Sequence, residues 1–292
     1  MDQGPEFAEL EAEQLLRDRS ITSFPVDPGK IAEESDISVV PKPTGAGVSG
    51  MLIRVGNSFT IAYAAHVASE GFQRFSVAHE LGHYFLRGHV DYVLGVDGVH
   101  QSRAGFLSGD KHEKEADQFA AGLLMPRSLF APALRSAGDG LDAILQLATT
   151  CKTSLTSTAI RFAQHADDPV AIVISTQEQI EYCFMSRTFR ELQGLTWLNR
   201  KSPLPRRTRT SRFNGDPGRI LDAERDEGTT NLHDWFDAGP DIQLLEQIVG
   251  LGNYSKTLTV LTLVEAIDEE QVEEEAELAR SWTPTFSRSR KR

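Results

Sequence analysis

Hydrophobic and polar positions in the first part of the chain predict a small sheet flanked by helices. Apolar residues recur at helical spacing over Phe7–Arg19, and two prolines then break the pattern. Short apolar runs at Ile37–Val40, Met51–Val55 and Ser58–Tyr63 predict three strands. Gly56-Asn57 joins the last two runs and is typical of a hairpin turn. The pattern therefore places a sheet ahead of the long apolar segment that follows it.

That segment, Phe75–Leu86, is predicted to be a buried helix that Gly88 ends. His79 and His83 lie four residues apart, so at about 100° and 1.5 Å per residue their imidazoles stack on one helix face. Both can reach a single ion at about 2.1 Å. Glu80 points to the side, where it can hold and deprotonate a water instead of ligating. The alternative is a core helix whose histidines hydrogen-bond to their neighbours.

A second helix, from His112 to Pro126, supplies an acid for the same site. Glu113 lies on the inward stripe of this helix among small and apolar residues, and a buried acid requires a partner. A metal held by the two histidines would be that partner, completing a two-histidine, one-glutamate site with an open position. Asp117 shares the stripe and can accept the second ring N–H of a ligand histidine. Alternatively, Glu113 is an acid near the helix N-terminus that the helix dipole alone favours. His112 and Glu115 are predicted to be surface residues.

The segment between these helices, Gly95–Gly109, is rich in Gly and Ser and lacks periodicity, so we expect a loop on the rim of the cleft. A short edge strand beside the metal helix could hold a peptide by strand addition. No donor for the oxyanion of an acyl-transfer reaction can be assigned. Tyr84 and His89 are near in sequence, but Tyr84 faces elsewhere; His66 is one candidate.

The middle of the chain is predicted to be helical at Ser128–Ser136, Leu141–Thr150 and Ser154–His165, with Ser154 as an N-cap. The last two helices have helix-turn-helix spacing. They can contact DNA or pack as a scaffold on the preceding domain. Apart from Lys152 and Arg161, these helices have few cations that could contact DNA phosphates, which favours the scaffold.

From Pro169 onward the pattern changes to strands. β-branched and aromatic runs predict four of them, and Ile242–Val249 is predicted to be a helix. Trp235 and Phe236 are expected in the core. The predicted strands are Val170–Ser175, Gln179–Met185, Leu192–Leu198 and Lys256–Val264.

Composition narrows the class of protein. The 292 residues carry a net charge of −12, which disfavours general nucleic-acid binding. No apolar run approaches the roughly 20 residues that span a bilayer, so no membrane segment is expected. The acidic N-terminus does not resemble a signal peptide, and Cys151 and Cys183 form no CxxC pair. We therefore expect a cytoplasmic protein with reduced thiols.

Charge is unevenly spread in the second half. Asp268–Glu277 holds seven carboxylates in ten residues and is expected to be a solvated helix or spacer. Lys201–Arg212 holds five cations and no acid. It could meet an acidic partner or nucleic acid, but two prolines favour a solvated loop. The Ser/Arg-rich tail, Arg280–Arg292, is predicted to be disordered.

Two motifs together carry a family resemblance. Arg74-Phe75-Ser-Val-Ala-His79-Glu80-Leu-Gly-His83 and Glu113-Lys-Glu-Ala-Asp117-Gln-Phe119-Ala-Ala-Gly-Leu-Leu-Met125-Pro126 resemble the ImmA/IrrE metallopeptidases in residue type, order and spacing. The resemblance runs over roughly Ile31–Gln164. It implies that His79, His83 and Glu113 are metal ligands and that Glu80 is the general base.

The resemblance also implies a substrate class and a metal. Family members cleave helix-turn-helix repressors and so derepress stress, excision or toxin–antitoxin genes. Some carry their own repressor-like domain before the peptidase; this sequence shows none, so we expect a separate repressor or antitoxin as substrate. Two imidazoles and a carboxylate suit Zn²⁺, while Mn²⁺ or Fe²⁺ could use the same ligands. The sequence does not indicate an oligomeric state.

The predicted fold is α+β. We expect a zincin-like metallopeptidase domain at 1–127, a helical helix-turn-helix-like segment at 128–167 and a C-terminal α+β domain at 168–267. This last domain falls where sensory, GAF-like modules sit in the radiation-response branch of the family. Residues 268–292 form the acidic and then basic tail.

Two other functions remain open from the sequence. The chain could sequester a repressor or antitoxin without cleaving it, and an intact Glu80 argues against this because a structural metal site needs no base. It could instead bind DNA through Ser154–His165, which the acidic net charge disfavours.

Overall fold

The structure, a computed structural model, describes residues 5–43, 45, 47–103 and 109–264. These residues form a mixed α+β fold with twelve α-helices and two β-sheets, which confirms the predicted class. None of the described helices combines the length and the apolar character that crossing a membrane requires. The acidic run Asp268–Glu277 and the tail Arg280–Arg292 lie outside the described residues, so their predicted states stay predictions.

The first part of the chain forms a four-stranded sheet with helices on it. Its strands are ordered β1-β3-β2-β4; β1 is parallel to β3 and the other pairs are antiparallel. The elements are α1 (Pro5–Asp18), α2 (Pro28–Glu33), β1 (Ile37–Lys42), β2 (Val48–Val55), β3 (Ser58–Ala64), α3 (Glu70–Phe85), α4 (His89–Val93), β4 (Val99–Arg103) and α5 (Lys111–Leu124).

The predicted hairpin is confirmed, because β2 and β3 pair and the turn residue Gly56 has φ +62°. The expectation of a loop over Gly95–Gly109 is wrong for part of the segment that the structure describes. Five of its residues form β4, which pairs with β2 and closes one edge of the sheet. The surrounding glycines hid this strand in the sequence, since its pairing with β2 supplies the order that local propensity does not.

Helix α3 lies between the sheet and α5. Leu52 and Ile61 on the sheet, Leu81 on α3 and Phe119 on α5 are fully buried in one apolar core. Close approach of the two helices depends on small residues: a Cβ on Gly82 would lie 3.1 Å from the Cα of Ala116. The contact sets the two helices that carry the candidate chemistry side by side.

The middle segment consists of α6 (Arg127–Ala137), α7 (Gly140–Cys151) and α8 (Leu155–His165). Helix α8 packs on the rest of the chain: Arg161 is 2% exposed, donates from Nε to the carbonyl of Met125 and pairs with Glu9 of α1. Lys152 pairs with Glu70 at 3.1 Å. Both cations that could have contacted DNA are therefore paired with carboxylates of this chain. These contacts favour the interpretation of the middle helices as a scaffold packed on the preceding domain.

The last part of the chain forms a five-stranded antiparallel sheet ordered β6-β5-β9-β8-β7. Strand β5 is buried on both faces. One face of the sheet joins the core of the first part through Ile172 of β5 and Val260 of β9, and the other packs on Trp235 and Phe236, which are core residues as predicted. The elements are β5 (Val170–Thr176), β6 (Gln179–Met185), α9 (Arg187–Arg190), α10 (Arg209–Asn214), α11 (Pro217–Leu221), β7 (Arg225–Asn231), α12 (Leu232–Phe236), β8 (Gln243–Gly250) and β9 (Thr257–Leu263).

Three predictions for this part are wrong. The expected helix Ile242–Val249 is strand β8, because pairing with β7 and β9 overrides the local pattern and the buried Glu246 breaks the apolar alternation. Leu192–Leu198 contains no strand. The basic run Lys201–Arg212 is no simple solvated loop, since its end enters α10 and Arg209 pairs with Asp226 at 2.6 Å.

One continuous apolar core extends from α1 through the middle helices to one face of the second sheet. The structure thus joins the three described parts by packing. The boundaries at 127/128 and 167/168 and the GAF-like character of the C-terminal part stay predictions.

Candidate metal centre

Helix α3 positions both histidines and Glu80. The side chain of Ser69 accepts a hydrogen bond from the backbone N–H of Phe72 and caps the helix at its start. The helix is buried from Ser76 to His83. In this stretch His79 is 6% exposed, and Glu80 and His83 are fully buried. Apolar neighbours alone would not explain three buried polar side chains on adjoining turns, since each one requires a partner.

Glu113 of α5 completes a triangle with the two histidines. Its carboxylate oxygens lie 3.4 Å from Nε2 of His79 and 3.3 Å from Nε2 of His83. The two Nε2 atoms are 3.1 Å apart. The structure therefore brings together the three side chains that the sequence predicted as ligands.

These separations fit a metal ion. Tetrahedral coordination with bonds of about 2.1 Å places neighbouring ligand atoms about 3.4 Å apart. All three edges of the triangle are close to that value. The donor set of two imidazoles and one carboxylate leaves a fourth position open, as catalytic zinc sites do. The residues present thus suit a divalent cation.

Asp117 orients His79. Its Oδ1 lies 2.9 Å from Nδ1 of His79, one helical turn beyond Glu113 on α5. A carboxylate on Nδ1 holds the ring proton there and leaves the lone pair of Nε2 for a metal. This contact is the one proposed for Asp117 from the sequence.

His83 has a different outer contact, which the sequence analysis missed. Its Nδ1 lies 3.3 Å from Nδ1 of His89, and Nε2 of His89 lies 3.1 Å from Oε2 of Glu115. Gly88, with φ +85°, turns the chain so that the first residue of α4 folds back on α3. The expectation that Glu115 is a surface residue is therefore wrong; its side chain is only 12% exposed. His112 is also partly covered, stacking on Tyr92.

Glu80 is fully buried, and neither of its carboxylate oxygens has a hydrogen-bond partner among the described residues. Burial raises the pKa of this carboxyl, while His79 and the nearby Ser102 hydroxyl, which lies outside hydrogen-bond geometry, act in the opposite direction. Gly50 of β2 makes room for it: a Cβ there would lie 2.5 Å from Oε1. A buried acid beside the candidate ligands, with a raised pKa, is suited to taking up and releasing a proton.

The ligand charges are coupled. Burial lowers the pKa of His83 to about 3. Burial would also lower the pKa of His79, but hydrogen bonds to Asp117 and Glu113 outweigh it and raise that pKa. Burial acts to raise the pKa of Glu113, yet the three surrounding histidines lower it well below its usual range. Between the histidines and Glu113 there is thus a place for positive charge, which a proton or a cation can fill.

His100 of β4 is a further site residue that the sequence analysis missed. Its Nε2 lies 3.1 Å from Oε1 of Glu113 and 3.2 Å from Oγ of Ser102. It also falls within a second group of possible ligand atoms together with Glu80 and His83. The available signal was the short run Val99–Arg103, in which positions 100 and 102 share one face of a strand. His66 is exposed.

Comparisons with known proteins agree with this geometry. Residues 32–163 match the model of the peptidase M78 family, described as the IrrE N-terminal-like domain. This part of the chain is therefore similar to the IrrE N-terminal-like domain. A metallopeptidase-like domain with a site for a metal ion is what this match and the His/Glu cluster together support.

A solved structure extends the comparison beyond residues 32–163. A Mycobacterium tuberculosis transcriptional regulator matches with a TM-score of 0.57 at 13% sequence identity, covering 88% of this chain and 76% of that chain. At this identity the match supports the fold alone. No curated protein sequence matches this chain significantly.

Proposed function

We propose that this chain is a zinc-dependent endopeptidase that cleaves a separate helix-turn-helix repressor or antitoxin in the cytoplasm and thereby relieves repression of stress, mobile-element or toxin–antitoxin genes. The observation that best supports peptidase activity is the environment of Glu80. It lies fully buried and without a hydrogen-bond partner among the described residues, beside the triangle of His79, His83 and Glu113. A metal site that served only to hold the fold would not need this acid.

The chemistry follows from what each side chain can do. A bound divalent cation supplies Lewis acidity and makes water more acidic. Glu80 takes the proton of the attacking water and delivers it to the leaving amine, and burial, which raises its pKa, makes its carboxylate a stronger base. Asp117 holds His79 in the tautomer that leaves its Nε2 lone pair free.

The cleft beside the centre suits a peptide. Strand β4 is an edge strand, so an extended substrate can add to the sheet next to it. A cavity of about 120 Å³ lies beside His79, and its lining includes Phe72, Phe75 and Arg103 of β4. Its mainly apolar lining fits a substrate side chain of moderate size. We propose zinc because two imidazoles and one carboxylate with an open position are typical of catalytic zinc.

The test is cleavage of the helix-turn-helix protein encoded beside this chain. The zinc-loaded full-length protein, its Glu80→Gln variant and a Glu70→Gln control are each incubated with that protein, and the products are separated by mass. Glu70 is exposed on the same helix. We expect the wild type and the control to cleave, and Glu80→Gln to be about 10²- to 10⁴-fold slower, the usual contribution of a general base.

Other results would point elsewhere. If wild type and Glu80→Gln both bind the partner tightly and neither cleaves it, the chain sequesters its partner and the peptidase proposal is wrong. Retardation of DNA by the chain alone would support the DNA-binding alternative, although its expected contact residue Arg161 is buried.

A further inference from the structure

The side of His83 that faces away from Glu113 contacts a buried chain of groups. Nδ1 of His83 is 3.3 Å from Nδ1 of His89, whose Nε2 is 3.1 Å from Oε2 of Glu115. His83 is fully buried and His89 is 3% exposed. His89 of α4 and Glu115 of α5, neither of which is a candidate ligand, therefore connect to the candidate ligand His83.

Hydrogen-bond chemistry allows one order of protons along this chain when His83 binds a metal through Nε2. A ligating Nε2 offers its lone pair, so the ring proton of His83 lies on Nδ1. That N–H donates to Nδ1 of His89, which must then accept, and the proton of His89 lies on Nε2. The Nε2–H donates to the carboxylate of Glu115, which only accepts.

We propose that His89 and Glu115 are positioning residues of the metal centre: together they fix His83 in the tautomer and ring orientation that present Nε2 to the ion. His79 has Asp117 in direct contact for the same task. His83 lies one turn further along α3, where the contact to a carboxylate runs through His89 instead. This inference depends on the metal site proposed above and extends it to residues that bind neither the ion nor the substrate.

The competing explanation is simple packing. Glu115 also pairs with Lys111 at 3.6 Å, and His89 contacts the rings of His83 and His112. If packing were the whole role, a side chain of similar shape at position 89 would leave metal affinity unchanged. Outer hydrogen-bond partners of metal-bound histidines, in contrast, change affinity by about 10- to 100-fold.

The experiment measures zinc affinity of the full-length, metal-stripped protein by competition with a chromophoric chelator, together with the thermal midpoint of the metal-free form. We expect His89→Phe, which keeps a ring, and Glu115→Ala each to weaken affinity about 10- to 100-fold. Glu115→Gln should lie nearer the wild type, because its amide oxygen can still accept from His89. Lys114→Ala, exposed on the same helix, should match the wild type.

Two controls make the outcome decisive. Zinc affinity that is unchanged in both His89→Phe and Glu115→Ala, or Glu115→Gln no better than Glu115→Ala, would overturn the positioning role while leaving the metal site intact. Should His89→Phe not fold, the two Glu115 variants decide alone. Glu113→Ala removes a ligand; if it keeps full zinc affinity, the metal site itself is wrong and the positioning role is overturned with it.

A spectroscopic measurement tests the proton order directly. Long-range ¹H–¹⁵N correlation of the imidazole rings in the zinc-loaded wild type should show His83 protonated on Nδ1 and His89 protonated on Nε2. His83 protonated on Nε2 would overturn the proposal.

Discussion

Two buried glutamates, one in each half of the molecule, have opposite surroundings. Glu80 on α3 and Glu246 on β8 are both fully buried. Glu246 accepts four hydrogen bonds: from the backbone N–H groups of Arg209 and Thr210, the hydroxyl of Thr210 and Nε1 of Trp235. Glu80 accepts none that the described residues supply.

The difference separates a structural acid from a reactive one. A buried carboxylate with both oxygens satisfied joins the elements that contact it, and here Glu246 connects the start of α10 and helix α12 to strand β8. An unsatisfied one costs stability and persists where it has chemistry to perform. Burial alone would not distinguish the two; the partners do.

The same substitution at both positions should therefore have opposite effects on stability. Glu246→Gln replaces one acceptor oxygen by an NH₂ group that faces N–H or O–H donors, so two hydrogen bonds to a charged group are lost. At about 1.5 to 3 kcal/mol for each such bond, we expect a loss of about 3 kcal/mol or more in the free energy of unfolding. Urea denaturation of the metal-free protein measures it; a loss below about 1 kcal/mol would mean that the four contacts are weak.

Glu80→Gln should be neutral or stabilising in the metal-free protein, by about 1 kcal/mol, because it removes a carboxyl group whose ionised form burial disfavours. The same denaturation experiment at neutral pH provides the value. A clear loss of stability would show that Glu80 makes structural contacts like those of Glu246, and the contrast between the two halves would fail.

A half-buried histidine, His165 at the end of α8, allows the comparison to be extended to pH dependence. Burial lowers its pKa to about 4, and the nearby Arg161 acts in the same direction. Since the unfolded chain binds this proton more readily, stability from neutral His165 is fully present above about pH 6.5 and is lost as the pH falls toward 4.

His165→Phe should remove that loss. Phe130 already contacts this ring, so an aromatic replacement keeps the packing. We expect the free energy of unfolding of the wild type to fall by about 1 kcal/mol more than that of the variant between pH 7 and pH 4.5, a value reduced for solvent screening of a partly exposed group. Equal pH dependence in both proteins would assign the acid sensitivity to other groups.

The sequence by itself determined the elements whose chemistry is local. The i, i+4 spacing of His79 and His83 and the inward stripe of α5 depend on helical geometry, which the chain's own periodicity expresses. Placing Glu113 and Asp117 on the metal side of α5 needed only the angle per residue. The hairpin at Gly56 was likewise predictable, because a two-residue turn fixes its own register.

Only the tertiary structure decided which distant groups meet at those elements. His89 reaches His83 because Gly88 reverses the chain, His100 reaches Glu113 because β4 pairs with β2, and neither contact has a periodic signature. Strand β8 was mistaken for a helix for the same reason: strand pairing and the four donors around Glu246 are non-local. Local spacing thus predicted which side chains meet at the candidate metal centre, whereas packing decided which other groups contact them.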